Sequence, residues 1–156
     1  MIAVRVAPRL LAAMAAHARS TYPDECCGYL IAPAELPPDG VRRIEAVEPA
    51  DNRFDGERRR RFVILPDELR AAERRAEARG RAVVGFYHSH PDHPARPSPF
   101  DEAHAWPWYA YLVLATTATG VPRVGAFELG AETGRFVELP LEPEPDPLSA
   151  APVVRA

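Results

Sequence analysis

Lysine is absent from this sequence: all 19 basic residues are arginines. A compositional bias towards Arg, Ala and Pro accounts for that. The absence also means that the chain offers no lysine amine for covalent attachment, which matters only for a protein that works among conjugating proteins. Cysteine is scarce, with Cys26 and Cys27 adjacent to each other. Two neighbouring cysteines cannot build the disulfide framework of a small secreted domain. They fit a reducing compartment, so the cytoplasm is the expected location. In a strand they would point to opposite faces and serve as small buried hydrophobes. No apolar run approaches the roughly 20 residues of a bilayer-spanning helix, so no membrane partner is expected. The formal net charge is only −3, which gives no general reason to expect nucleic acid as a partner.

What is present suits one folded unit. The chain has 156 residues, 47% of them hydrophobic, enough for a single core and too few for two ordinary domains. The N-terminus superficially resembles a secretory signal, with Arg5 and Arg9 before an apolar stretch and Ala16-His17-Ala18 as a cleavage-like triplet. Pro8 fits better as the first residue of a helix, and the alternation of Ile2, Val4 and Val6 reads as a strand.

The pattern along the chain is α+β, a mixed β-sheet with two long helices packed on it. After a strand over 2–7, Leu10, Leu11, Met14 and Ala18 share one helical face, and the helix should stop before Pro23. Residues 28–31 read as a buried strand, 33–40 as a turn, and 41–48 as a second strand completing a hairpin. A loop over 51–61 carries four consecutive arginines, Arg58, Arg59, Arg60 and Arg61, and 62–65 reads as a further strand. Pro66 opens the second helix, Asp67 and Glu68 suit its dipole, and Gly80 closes it. Residues 82–88 are apolar enough for a central strand, followed by a proline-rich loop over 91–99. Strands are expected over 109–115, 123–129 and 135–139. The domain is expected to span residues 1–140, with 141–156 as a Pro/Glu/Ala-rich tail outside the core.

The informative stretch is His88-Ser89-His90-Pro91, followed by Ser98 and Asp101. Spacing of two along a strand puts both imidazoles on one face, and Pro91 places them at its rim. Ser98-Pro99 starts a short helical turn from which Asp101 can fold back. Two imidazoles and a carboxylate suit a divalent metal, and three protein ligands leave the fourth tetrahedral position of a single Zn²⁺ to water. The same set could form a non-haem iron triad. A nucleobase deaminase is disfavoured, because neither its His-x-Glu nor its Pro-Cys-x-x-Cys signature occurs. His17, His93 and His104 have no comparable company. Ser98 also has an ordinary role as a helix N-cap before proline.

These residues resemble the JAMM (MPN-plus) metalloproteases. The run His88-x-His90, seven residues, Ser98, two residues, Asp101 matches that family's signature. Upstream, the segment from Tyr22 to Gly28 looks like the one bearing the family's catalytic glutamate, and Gly85-Phe86-Tyr87 also fits. The resemblance covers about residues 2–139 and is greatest to the short, stand-alone prokaryotic members. It implies an MPN/JAMM domain related to the cytidine-deaminase-like architecture, with zinc held by His88, His90 and Asp101. Glu25 would be the general base and Ser98 the donor to the developing oxyanion; without the resemblance Glu25 would be an ordinary acid in a Pro-Asp-Glu turn. It further implies hydrolysis of the amide bond after the C-terminal Gly-Gly tail of a ubiquitin-like or sulfur-carrier (ThiS/MoaD-like) protein. MPN domains often pair, so a homodimer is an expectation too. The competing expectation is a catalytically silent MPN scaffold that only binds such partners, which should lack one or more ligands. The arginine run has no counterpart in the family pattern and reads as a solvated loop.

Overall fold

The structure is a computed structural model that describes residues 1–145; the expected tail beyond residue 145 lies outside the described residues. Twelve elements follow in order: β1 (Ala3–Val6), α1 (Pro8–Thr21), β2 (Cys27–Ala32), β3 (Val41–Ile44), β4 (Ala46–Ala50), α2 (Pro66–Glu77), β5 (Ala82–Pro91), α3 (Pro99–His104), β6 (Ala110–Thr117), β7 (Gly120–Leu129), β8 (Phe136–Leu139) and β9 (Leu141–Pro143). They form a six-stranded sheet in the order β4-β2-β5-β6-β7-β8 and a three-stranded sheet in the order β3-β1-β9. In the large sheet only β5 and β6 run parallel, from Gly85↔Ala110 to Pro91↔Thr116. The remaining neighbours are antiparallel. This is the α+β arrangement with a mixed sheet that the sequence pattern indicates.

Both long helices begin with proline at the first turn, where the missing N–H costs no intrahelical bond. Leu10, Met14 and Ala18 of α1 are buried at four-residue spacing. They pack with Leu30, Tyr87, Leu112, Leu114 and Ala126 on one face of the large sheet, together with Val4, Val6 and Ile44 of the small one. On the opposite face Ala72 and Ala76 of α2 meet Tyr29, Ile31 and Val83. Alanines at these positions let the α2 backbone approach the sheet closely. A third cluster of Tyr111, Val113 and Phe127 continues that face beyond α2. Among the described residues no helix is long and apolar enough to cross a membrane.

Three expectations are corrected. Residues 41–48 are not one strand: the run breaks at Glu45, whose N–H donates to Ile31 O. Its first half, β3, pairs parallel with β1, and only β4 pairs antiparallel with β2. Residues 62–65 form no strand, because the segment sits over the sheet face and Phe62 stacks on His88 instead of joining a ladder. Residues 141–143, expected to begin the tail, form β9, which pairs parallel with β1.

Close backbone approach in the central pair depends on a glycine. A Cβ on Gly85 would lie 2.0 Å from the carbonyl oxygen of Ala110, across the parallel ladder. Gly120 has nothing within 4 Å of the same position. We expect Gly85→Ala to lower unfolding free energy by about 1–3 kcal/mol through overpacking, and Gly120→Ala to stay within about 0.5 kcal/mol of the parent. Denaturant unfolding of both variants checks this; equal effects would mean that β5 and β6 tolerate a wider spacing.

Candidate metal centre and active site

His88 and His90 lie on β5 at its buried C-terminal end. The two-residue spacing brings their Nε2 atoms to 3.1 Å from each other. Asp101 arrives from α3, and its Oδ2 lies 3.2 Å from His88 Nε2 and 3.1 Å from His90 Nε2. The sequence therefore predicts all three members of the one such His/Cys/Asp/Glu group among the described residues. Each carries its donor atom into a nearly equilateral triangle.

Local structure explains why the aspartate points inward. Ser98 is the N-cap of α3 and Pro99 its first residue. Asp101 N–H donates to Ser98 Oγ at 3.1 Å, and Ser98 N–H donates to Asp101 Oδ2 at 2.7 Å. This reciprocal capping box, with aspartate in the place usually taken by Glu or Gln, holds the carboxylate against the histidines. The Ser98 hydroxyl accepts here, and among the described residues nothing accepts its own O–H. It remains available to donate.

The donor set fits a tetrahedral zinc. Bonds of about 2.0–2.1 Å to a tetrahedral ion imply ligand separations of roughly 3.3–3.4 Å, close to the triangle's edges. His90 Nδ1 lies 3.1 Å from the carbonyl of Pro94. A carbonyl can only accept, so Nδ1 carries the proton and Nε2 presents its lone pair inward. Burial lowers the His88 proton affinity, keeping that ring neutral as a ligand must be. Its Nδ1 is buried with no protein partner. For Asp101, burial pushes the carboxyl upward, but the contacting His88 and His90 rings, the electrostatic contribution of His88 and the Ser98 N–H outweigh it and hold the group well below the usual range.

Glu25 stands beside this triangle. It is 3% exposed, and its Oε1 lies 3.8 Å from His90 Nε2. Its Oε2 is buried with no partner, an acceptor without a donor. Burial pushes this carboxyl up to about 9, and the Asp101 charge adds to the shift. The neighbouring backbone is tied to β5: Cys26 N–H donates to Ser89 Oγ at 2.8 Å, and Ser89 N–H donates to Cys26 O at 3.1 Å. Both cysteines are free and buried, and burial raises both thiols, so neither is poised as a nucleophile.

A cavity of about 710 Å³ begins at His88 and Asp101 and runs over Phe86 between Phe100, Trp106 and Trp108. Trp106 and Trp108 are 69% and 50% exposed at its rim. Trp108 has φ of 85°, a conformation that a bulky residue adopts only where its surroundings impose it. His104 also lines the cavity, with Nδ1 2.8 Å from Phe100 O; His93 is exposed, and His17 pairs with the Tyr87 hydroxyl at 2.8 Å. None joins the donor triangle. Sequence reasoning missed Ser89, Pro94, Asn52 and Phe62, whose roles come from hydrogen bonds and stacking that leave no spacing signal.

The Glu25 shift has a sign that can be measured in metal-free protein. Its folded-state proton affinity exceeds the ordinary carboxylate value near 4.3, so the folded state binds more protons between the two. The associated stability is complete below about pH 4.3 and declines as pH rises towards 9. We expect chelator-treated wild type to lose more stability over that window than chelator-treated Glu25→Gln, by thermal or denaturant unfolding. Parallel curves would show that Glu25 is not the group responsible.

Comparison with known proteins supplies the family. Residues 7–128 match the family model described as Prok-JAB, prokaryotic homologs of the JAB domain. The chain is 35% identical over 94 residues to the protein named Desampylase from Haloferax volcanii, covering 60% of this chain and 63% of that protein. It is 33% identical over 101 residues to the tail tip assembly protein K of Escherichia phage N15, covering 62% of this chain and 36% of that one. The match thus spans less than two thirds of either curated relative. Among solved structures, a protein from Desulfitobacterium hafniense superposes with a TM-score of 0.77 at 26% identity, covering 92% of this chain and 94% of that one. A protein from Salinibacter ruber gives 0.69 at 34% identity, with 92% of each chain covered. With a family model matched over most of its length and the His-x-His, Ser and Asp residues gathered at the end of β5, this chain belongs to the prokaryotic JAB-domain family.

Proposed function

We propose that this chain is a zinc-dependent peptidase or isopeptidase that hydrolyses the amide bond after the C-terminal Gly-Gly tail of a ubiquitin-like or sulfur-carrier protein. The observation that carries the reading is the convergence of three metal-type donors, 3.1–3.2 Å apart, beside a buried glutamate whose Oε2 has no partner. The likeness to a protein named Desampylase supports a substrate of the ubiquitin-like class. A complete donor set favours catalysis over the silent scaffold.

His88, His90 and Asp101 would hold the ion. Zinc, when bound there, supplies the Lewis acidity that activates water at neutral pH and polarises the scissile carbonyl. Glu25 takes the proton from the attacking water and delivers it to the leaving amine. Burial suits it to this work, because a desolvated carboxylate accepts a proton more readily than a hydrated one. Ser98 donates its hydroxyl hydrogen to the oxygen that becomes negative as the carbonyl turns tetrahedral. The aromatic walls of the cavity would give the substrate's extended tail an apolar surface leading to the reacting atoms. We place this work in the cytoplasm, since two adjacent cysteines supply no disulfide framework of the secreted kind.

The test combines metal content with cleavage of a sulfur-carrier protein extended past its Gly-Gly end. We expect wild type to carry one zinc and to cleave. Glu25→Gln should keep the zinc and lose turnover by about 10²–10⁴-fold, the usual contribution of a general base. Zinc loss from that variant would make Glu25 a ligand. We also expect His88→Ala and Asp101→Ala to lose both zinc and activity, and full zinc occupancy in either would remove that residue from the set. Iron with oxygen consumption in wild type would replace the hydrolase reading, and a metal-free protein that still binds the carrier would establish the scaffold.

A further inference from the structure

Glu25 precedes β2 and lies outside the strand, so its backbone groups need partners other than a sheet ladder. They find them in the irregular segment between β4 and α2. Glu25 N–H donates to Arg58 O at 2.8 Å, and Glu25 O accepts from Asn52 Nδ2 at 3.2 Å. The same Nδ2 donates to Arg61 O at 2.9 Å. On the other side of the amide, Oδ1 accepts from Phe54 N–H at 3.0 Å and from Val63 N–H at 3.2 Å. One side chain thus uses two donors and two acceptor positions on four backbone groups, the full capacity of an asparagine.

The segment that Asn52 gathers also touches the metal-donor half of the site. Phe62 stacks on the His88 imidazole, with ring centres 4.6 Å apart and planes 27° apart. The Arg61 guanidinium lies 4.4 Å from the ring centre of Phe100, the residue before Asp101 on α3. Phe54 meets the same Phe100 ring edge-on at 6.4 Å. From this geometry we infer that Asn52 is a positioning residue for the reaction proposed above, fixing Glu25 against the candidate metal donors through the 52–63 segment.

The chemistry of the site explains the choice of asparagine. Aspartate keeps the acceptor but turns the donor into a second oxygen facing the carbonyls of Glu25 and Arg61. Leucine has a similar shape and would leave all four backbone groups without this partner. Glutamine carries the same amide one methylene too far out. Asn52 itself is proposed to touch no reacting atom, so its effect must pass through Glu25.

The consequence for turnover rests on the hydrolase reading, so the test has one arm that uses catalysis and one that does not. Both use the full chain with Asn52→Asp. Asn52→Ala, in which water can enter the vacated space, serves if the aspartate variant does not fold. In the first arm, zinc content, KM and kcat are measured on the Gly-Gly-extended carrier protein. The expected result is full zinc, KM within about twofold of wild type, and kcat lower by about 10- to 100-fold, the scale of a misplaced catalytic group. Unchanged kcat, or a loss carried by KM or by zinc, would overturn the inference in favour of a structural role. In the second arm, amide hydrogen exchange is followed by NMR in zinc-free protein without substrate. The Glu25 amide should lose at least tenfold of its protection while β5 and β6 amides keep theirs. Retained protection at Glu25 would overturn the inference whether or not the wild type cleaves anything. A wild type without cleavage would defeat the hydrolase reading alone, leaving this second arm to decide on Asn52.

Discussion

The site depends on one register, the antiparallel pairing of β2 with β5 that sets Cys27 opposite His88. It brings the start of β2 to the end of β5, so the residue two before Cys27 arrives beside His90. Ser89, fully buried between the two histidines, locks the alignment through both its side chain and its N–H to Cys26. A slip of one residue would turn His88 and His90 to the opposite face of the sheet and break both bonds. The parallel partner β6 adds the third component, because a parallel connection must cross over the sheet end, and that crossover carries α3 and Asp101.

Once assembled, the site separates two carboxyl groups by environment alone. Glu25 and Asp101 are both removed from water within reach of His90. Asp101 has hydrogen-bond donors on it and stays ionised; Glu25 has an oxygen with none and is driven towards its protonated form when no cation is near. The two carboxyls therefore differ in charge although both are shielded from water. Here the division arises from the two imidazoles and the Ser98 amide around Asp101 on one side, and from burial beside the Asp101 charge for Glu25 on the other.

Much of this was legible in the sequence. Proline at the first turn and four-residue apolar spacing announce α1 and α2, and the apolar run before His88 announces the central strand. The donor triangle follows from His-x-His at a strand end with Ser98 and Asp101 at fixed distance. Glu25 was accessible only through family resemblance, since nothing in Pro-Asp-Glu signals burial. The break at Glu45 and the pairing of β9 depend on parallel contacts with β1, between segments far apart in the chain, and local patterning carries no trace of them. Asn52 was equally hidden: an asparagine in a loop looks the same in sequence whether it faces solvent or satisfies four backbone groups.

The capping box has an evolutionary consequence. In α3 the same two residues terminate a helix and present a ligand, and a single oxygen, Asp101 Oδ2, faces both the Ser98 amide and the two imidazoles. A descendant lineage that abandons the metal can exchange either histidine for an apolar residue that fills its place on β5. Exchanging the aspartate would also leave the Ser98 N–H without its carboxylate acceptor and open half of the capping box, although the bond from the residue-101 N–H to Ser98 Oγ would survive. Replacement at 101 therefore disturbs local backbone hydrogen bonding as well as the donor triangle, whereas replacement of either histidine breaks the triangle and leaves the capping box in place.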